Sequence, residues 1–152
     1  MIEAEVLVEA KDWKKIIRNP KRQISNILNK FPNNFKFFYK KVYISVLLTN
    51  NKQIKLLNYK FRKKNKGTDI LSFPNFTEKE LKKNLKNKKI YLGDIAISYE
   101  EFSKKNKKDL PNGFIKIFIH GFLHLLSYDH KSNKDFERMN TIENKIFQKV
   151  KG

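Results

Sequence analysis

The three histidines of this 152-residue chain all fall in one run, His120-Gly121-Phe122-Leu123-His124-Leu125-Leu126-Ser127-Tyr128-Asp129-His130. On a helix, residues four apart stack on one face, so His120 and His124 can reach a single ion together. Zinc takes imidazole nitrogens at ~2.0–2.1 Å, a distance such a pair can serve. Ser127, Tyr128 and Asp129 are poor helix continuers, so the chain is expected to turn there and return His130 to the same ion. Three neutral imidazoles with a fourth position open describe a catalytic zinc centre, one ion per chain, rather than a closed structural one. A single histidine on an apolar helix face is ordinarily a satisfied core residue, and a pair four apart is ordinarily chance. Three of three, the last spaced to close a tripod, reverse that weighting.

Zinc lowers the pKa of bound water from 15.7 to about 7, so hydrolysis at neutral pH is the natural chemistry. The histidine spacing is that of the metzincin proteases, but those carry Glu directly after the first His as general base. Here that position is Gly121, and Ser127 stands where their signature has Gly. A peptidase therefore lacks its proton shuttle. Hydrolysis also needs a cation for the charge developing on the substrate, and Arg62 is the candidate, since a planar bidentate donor suits phosphate or carboxylate. An ordinary surface arginine accounts for position 62 equally well. Asp69 and Asp94, each at the start of an apolar stretch, and Asp129 can orient an imidazole from behind. Each can equally cap a turn or satisfy backbone, and none is assigned a catalytic role.

Elements able to position these residues are readable from hydropathy. Ala4 to Glu9, Val42 to Leu48, Ile70 to Phe73 and Ile90 to Ser98 read as strands, the third closed by Pro74 and so near an edge. Gly93 marks a bulge or close approach in the fourth. Trp13, Ile16 and Ile17 suit a helical turn, broken at Asn19-Pro20. Ile24, Ile27, Leu28 and Phe31 form an amphipathic stripe ended by Pro32-Asn33-Asn34, and Asn50 or Asn51 caps a helix through Ile54, Leu57 and Phe61. Asn75 to Lys89 reads as a solvated loop with one helical turn near Glu78–Leu85. Tyr99 to Lys108 is helical until Leu110-Pro111-Asn112-Gly113 breaks it. Phe114 to Leu126 is a buried helix carrying two of the histidines, and Met139, Ile142, Ile146 and Val150 continue a helical period. Interleaved strands and helices imply an α/β fold, a mixed sheet of about four strands covered by helices, in one domain spanning 1–152.

Composition bounds the partners. Lys+Arg exceed Asp+Glu by 34 to 15, a net charge of +19 that favours polyanions, nucleic acid before an anionic membrane surface. Only Arg18, Arg22, Arg62 and Arg138 are arginines, and a Lys/Asn/Ile bias also follows from genome composition, which halves the weight of charge alone. Zero cysteine excludes disulfides, thiol catalysis and thiolate metal sites. The N-terminus lacks the pattern of a signal peptide, and no apolar run nears the ~20 residues of a membrane span. A soluble intracellular domain without a membrane partner is expected.

The run from His120 to His130 closely resembles the signature of the YbeY family of metal-dependent endoribonucleases. Leu57-Asn58-Tyr59-Lys60-Phe61-Arg62, Thr68 to Pro74 and Leu92 to Ser98 are similar to that family's other motifs, in the same order. Ser127 stands where the family usually has a turn Gly, and Gly67 where it usually has Pro; glycine tolerates positive φ at less cost than serine. The resemblance implies a zincin-like fold, zinc on His120, His124 and His130, and Arg62 as the functional arginine. It also implies cleavage of single-stranded RNA, maturation of the small-subunit ribosomal RNA 3′ end, ribosome quality control and a cytoplasmic location. Two other readings remain in view at this stage: a zinc hydrolase of a peptide or amide bond, and a non-catalytic basic ribosome-assembly factor with a structural metal.

Overall fold

The structure is a computed structural model that describes residues 2–32, 41–129 and 131–151. His130, and with it Asn33 and Asn34, lies outside the described residues. Alternating apolar residues build four strands: β1 (Ile2–Val8), β2 (Lys41–Thr49), β3 (Ile70–Pro74) and β4 (Lys89–Ser98). Six α-helices are described: α1 (Pro20–Asn29), α2 (Asn51–Arg62), α3 (Glu78–Asn84), α4 (Tyr99–Lys105), α5 (Leu110–Leu125) and α6 (Asn133–Lys151). The helical turn around Trp13 is a short 3-10 helix, Lys11–Lys15.

The strands form one mixed sheet in the order β1-β2-β4-β3. β1, β2 and β4 run parallel, and β3 pairs antiparallel with β4 at the edge. One face carries Val42, Ile44, Val46, Leu48, Ile90, Leu92, Ile95 and Ile97 into the main core, where α1, α5 and α6 cover it. On the other face α2 packs Ile54 against Leu71 and Ala96, a smaller cluster completed by Leu47, Leu57 and Phe73. Trp13 is fully buried, stacked on Phe102 with ring centroids 5.4 Å apart, and its indole N–H donates to Thr49 O at 2.9 Å. Burying each such ring contributes about 1.5–3 kcal/mol.

One sequence expectation needs correction, and another, the helical turn near Glu78–Leu85, is met by a helix of seven residues. Leu110-Pro111-Asn112-Gly113 is not a break but the first turn of α5. Asp109 caps it, its carboxylate accepting from Asn112 N at 3.1 Å, and a proline costs nothing where the first helical N–H groups lack partners anyway. The polar stretch after Asn75 holds a formed helix, α3, started by a reciprocal capping box. Glu80 N donates to Thr77 Oγ1 at 3.2 Å and Thr77 N donates to Glu80 Oε1 at 3.0 Å. The bond from the Thr77 backbone N–H first, and then that from the Thr77 hydroxyl, hold the Glu80 carboxyl below its ordinary range. Gly93 does form a close approach: its φ is 137°, and a Cβ there would lie 2.2 Å from Phe73 O.

Candidate active site

The site begins with α5, because its apolar majority faces the core and leaves one stripe showing. His120 and His124 lie on that stripe, each partly exposed, with ring centroids 4.6 Å apart and planes at 79°. Their Nε2 atoms are 3.1 Å apart. Two nitrogens bound to one tetrahedral ion at ~2.0–2.1 Å would sit about 3.3 Å apart, so the pair fits a shared zinc ion with a small adjustment. Among the described residues no group of three metal-binding side chains is assembled; the third candidate, His130, is outside them.

Behind His120 stands a residue that the sequence reading passed over. Glu143, on α6, accepts from His120 Nδ1 at 2.5 Å. A donor bond at Nδ1 fixes the tautomer, leaving Nε2 unprotonated and facing away from the carboxylate. A signal was present: Glu143 sits four residues after Met139 and three before Ile146, a carboxylate within the buried stripe of an amphipathic helix. Of the aspartates considered for this role, Asp94 is on the wrong side of the sheet. It pairs with Ser45 and Phe73 across the strands, on the face opposite Ile95, which α5 approaches, and its carboxylate takes the Tyr91 hydroxyl. Burial first, then that bond, raises the Tyr91 hydroxyl above its ordinary range. Asp69 pairs with Lys105 at 3.5 Å, and Asp129 with Lys131 at 3.8 Å.

The helix ends where the sequence predicted a turn. Ser127 N donates to His124 O at 3.0 Å and Tyr128 N to Leu123 O at 3.1 Å, the paired bonds of a Schellman cap. This cap requires a left-handed residue after the last turn, and Ser127 has φ 72°. Serine thus occupies the conformation that glycine adopts at lower cost.

Position 121 explains the missing protease glutamate. A Cβ on Gly121 would meet Ile70 Cδ1 at 2.5 Å, Ser72 Oγ at 3.2 Å and Ile95 Cγ2 at 3.4 Å. Helix α5 lies directly on β3 there, and Ser72 Oγ donates to Gly121 O at 3.1 Å. On the same strand Ser72 O accepts from Arg62 Nη2 at 3.3 Å, so Arg62 is tied to the residue that touches the histidine helix. Arg62, His120 and His124 line one cleft of about 1260 Å³, walled by α3 residues such as Thr77 and Leu81 and closed beyond the helix end by Tyr128 and Arg138. The Arg138 guanidinium lies 5.5 Å from the Tyr128 ring centre. The arrangement can hold a divalent ion at the cleft wall with an arginine in reach of the same cavity.

A family profile described as "Endoribonuclease YbeY" matches residues 7–151. A protein of that name from Pelagibacter ubique (strain HTCC1062) is 46% identical over 154 residues, covering 99% of this chain and 97% of the relative. Its namesake from Ehrlichia canis (strain Jake) is 36% identical over 149 residues, covering 96% and 92%. A solution structure of a Thermotoga maritima protein, 24% identical, superposes with a TM-score of 0.56, covering 99% of this chain and 89% of that one, which shows the shared fold.

Proposed function

The chain belongs to the YbeY family of endoribonucleases, and on that premise we propose that it cleaves single-stranded RNA at a zinc centre formed by His120, His124 and His130. One observation carries this reading: two imidazole Nε2 atoms 3.1 Å apart in a wide cleft, one ring braced from behind by a carboxylate. His130 completes the ligand set by its spacing in the sequence. A paired-histidine helix laid on a mixed sheet also supports a zincin-like description of the fold.

A zinc ion bound there supplies Lewis acidity and ionises water near neutral pH. The chain's own residues do the rest. Glu143 holds the His120 ring with Nε2 outward. Arg62, already lining the cleft, grips a phosphate oxygen pair bidentately and offsets the negative charge that builds on it during cleavage. Gly121 carries no general base where a protease has its glutamate, and a side chain there would crowd Ile70 and Ser72 of β3, which weighs against peptide hydrolysis. We place the activity, within a single domain, in small-subunit ribosomal RNA 3′-end maturation and ribosome quality control, on ribosomal precursors in the cytoplasm. Among the described residues no helix is long and apolar enough to cross a membrane.

The test is metal analysis of the purified protein together with cleavage of an unstructured RNA, with and without chelator, in wild type, His124→Ala and Arg62→Lys. Metal-dependent cleavage is expected, lost in His124→Ala and reduced in Arg62→Lys with folding and zinc content retained. Casein cleavage without RNA cleavage would overturn the assignment, and full activity of Arg62→Lys would remove the bidentate role. A 2′,3′-cyclic phosphate on the product would assign the first step to the RNA 2′-hydroxyl rather than to water.

A further inference from the structure

The catalytic cleft holds no surplus of positive charge among the described residues. Arg62, Lys82, Lys131 and Arg138 face it. So do five carboxylates, of Asp69, Glu78, Glu80, Asp129 and Asp135. Yet the chain carries +19, and an RNA strand is held mainly through its phosphates. An adjoining concavity of about 600 Å³, between the end of α4, the start of α5 and the end of α6, has the opposite balance. Lys104, Lys105, Lys107, Lys108, Lys116 and Lys151 ring it, and Asp109 is the one carboxylate lining it. Its floor includes Gly113, packed so closely on Asn106 that a Cβ would fall 2.4 Å from Asn106 Oδ1.

Two links join this concavity to the cleft. Beyond Gly113 the residues of α5 that are not buried are Lys116, His120 and His124, one helical stripe. Lys116 therefore stands one turn, about 6 Å, from His120 along the axis. Alongside, α6 presents Glu143 against His120 and Phe147 under Lys116, whose Nζ is 4.8 Å from the ring centre; Lys151 lies over the same ring at 5.5 Å. The second link is the ion pair between Lys105 of the concavity and Asp69 of the cleft.

We propose that the lysine-ringed concavity binds the backbone of single-stranded RNA where it leaves the catalytic cleft, so that the footprint runs from His124 past Lys116 to the α4–α5 turn. This rests on the endoribonuclease reading and adds to it a second contact surface. The chemistry recognised is a run of successive phosphates, without base readout, and the contact acts only on strands long enough to span both surfaces.

The experiment compares Lys104→Gln/Lys107→Gln/Lys108→Gln with a control that removes equal charge from the opposite end of the sheet, at the start of β2 and β4, Lys41→Gln/Lys88→Gln/Lys89→Gln. Lys105 and Lys116 are left intact because they hold Asp69 and Phe147. Cleavage and fluorescence anisotropy are measured on single strands of about 4 and about 15 nucleotides, lengths that bracket short and extended sites. For the long strand, the first variant should raise KM about tenfold near 0.1 M salt with kcat held, and lower the salt slope of binding by about 2, since each phosphate contact contributes ~0.7. The short strand should behave as with wild type, and the control variant should change neither. Equal losses on both lengths, equal losses in both variants, or no loss at all would each overturn the proposal. Loss of binding to phosphatidylglycerol vesicles with RNA binding unchanged would overturn it in favour of a membrane surface. Wild type that neither binds nor cleaves either strand would instead remove the endoribonuclease reading itself.

Discussion

Removing the Glu143 carboxylate should weaken metal binding far more than it weakens the fold. The contact to His120 Nδ1 is 2.5 Å, but the side chains of His120 and Glu143 are 33% and 24% exposed, so water screens the pair in the metal-free protein. Its loss there should cost at most about 1 kcal/mol, or roughly 2–4 °C in Tm for a chain of this size. Toward a metal the same carboxylate fixes the ring and raises the basicity of Nε2, and loss of such partners costs 10–100-fold in affinity, about 1.4–2.7 kcal/mol. The assay is competitive zinc titration against a chromophoric chelator, with Tm measured with and without saturating zinc. Glu143→Ala should show weaker zinc binding across that range and a zinc-induced Tm rise smaller by about 3–10 °C. Glu143→Gln, which keeps an acceptor but not the charge, should fall between. Wild-type zinc affinity and an unchanged zinc-induced rise in both variants would refute the orienting role.

Other consequences can be measured on the protein alone. Ser127→Gly should raise Tm by about 1–4 °C: relief of a left-handed conformation returns ~1–2 kcal/mol, partly offset by the entropy of glycine in the unfolded chain. Ser127→Val should lower it, and a rise in both would contradict the strain argument. Gly121→Glu should cost about 3 kcal/mol or more in urea unfolding, because a buried carboxylate would have to part α5 from β3, whereas Gly121→Ala should cost about 1, since Ile70 Cδ1 is a movable tip. Glu80 has a lowered pKa in the folded state, so its capping box stabilises α3 above the ordinary glutamate range of about 4.3 and is lost as pH falls through the folded value. The protection factor of the Leu81 amide, its exchange rate corrected for the intrinsic pH dependence, should therefore fall on acidification in wild type but not in Glu80→Gln; identical pH profiles would sink that account.

The parts of the fold that repeat a period were visible before any coordinates. Val42, Ile44, Val46 and Leu48 alternate because one sheet face is buried, and Ile24, Ile27 and Leu28 recur because α1 covers that face with one side only. The edge position of β3 followed from Pro74, and the turn after α5 from Ser127, Tyr128 and Asp129. Where local chemistry carried two meanings, the sequence misled: Pro111 and Gly113 read as a break because both disfavour a helix interior, whereas proline is at home in a first turn. In the candidate site, residue type and spacing singled out His120, His124 and Arg62, and the structure brings all three to one cleft. Glu143 was marked only as a carboxylate within a buried stripe, and its role was hidden, since its partner lies 23 positions away and only the antiparallel packing of α6 on α5 brings them together. Nor does any local pattern show that Asp94 is carried to the far face while Ser72 reaches the histidine helix.

The seating of position 121 also bears on what this scaffold can become. Its histidine spacing is shared with enzymes that cut peptides, and a single base change separates a glycine from a glutamate codon, yet the packing at this position opposes a larger side chain. A carboxylate there would crowd Ile70 and Ile95 on the sheet and press on Ser72, whose hydroxyl donates to Gly121 O. A glutamate introduced at position 121 would therefore cost stability whatever chemistry it brought.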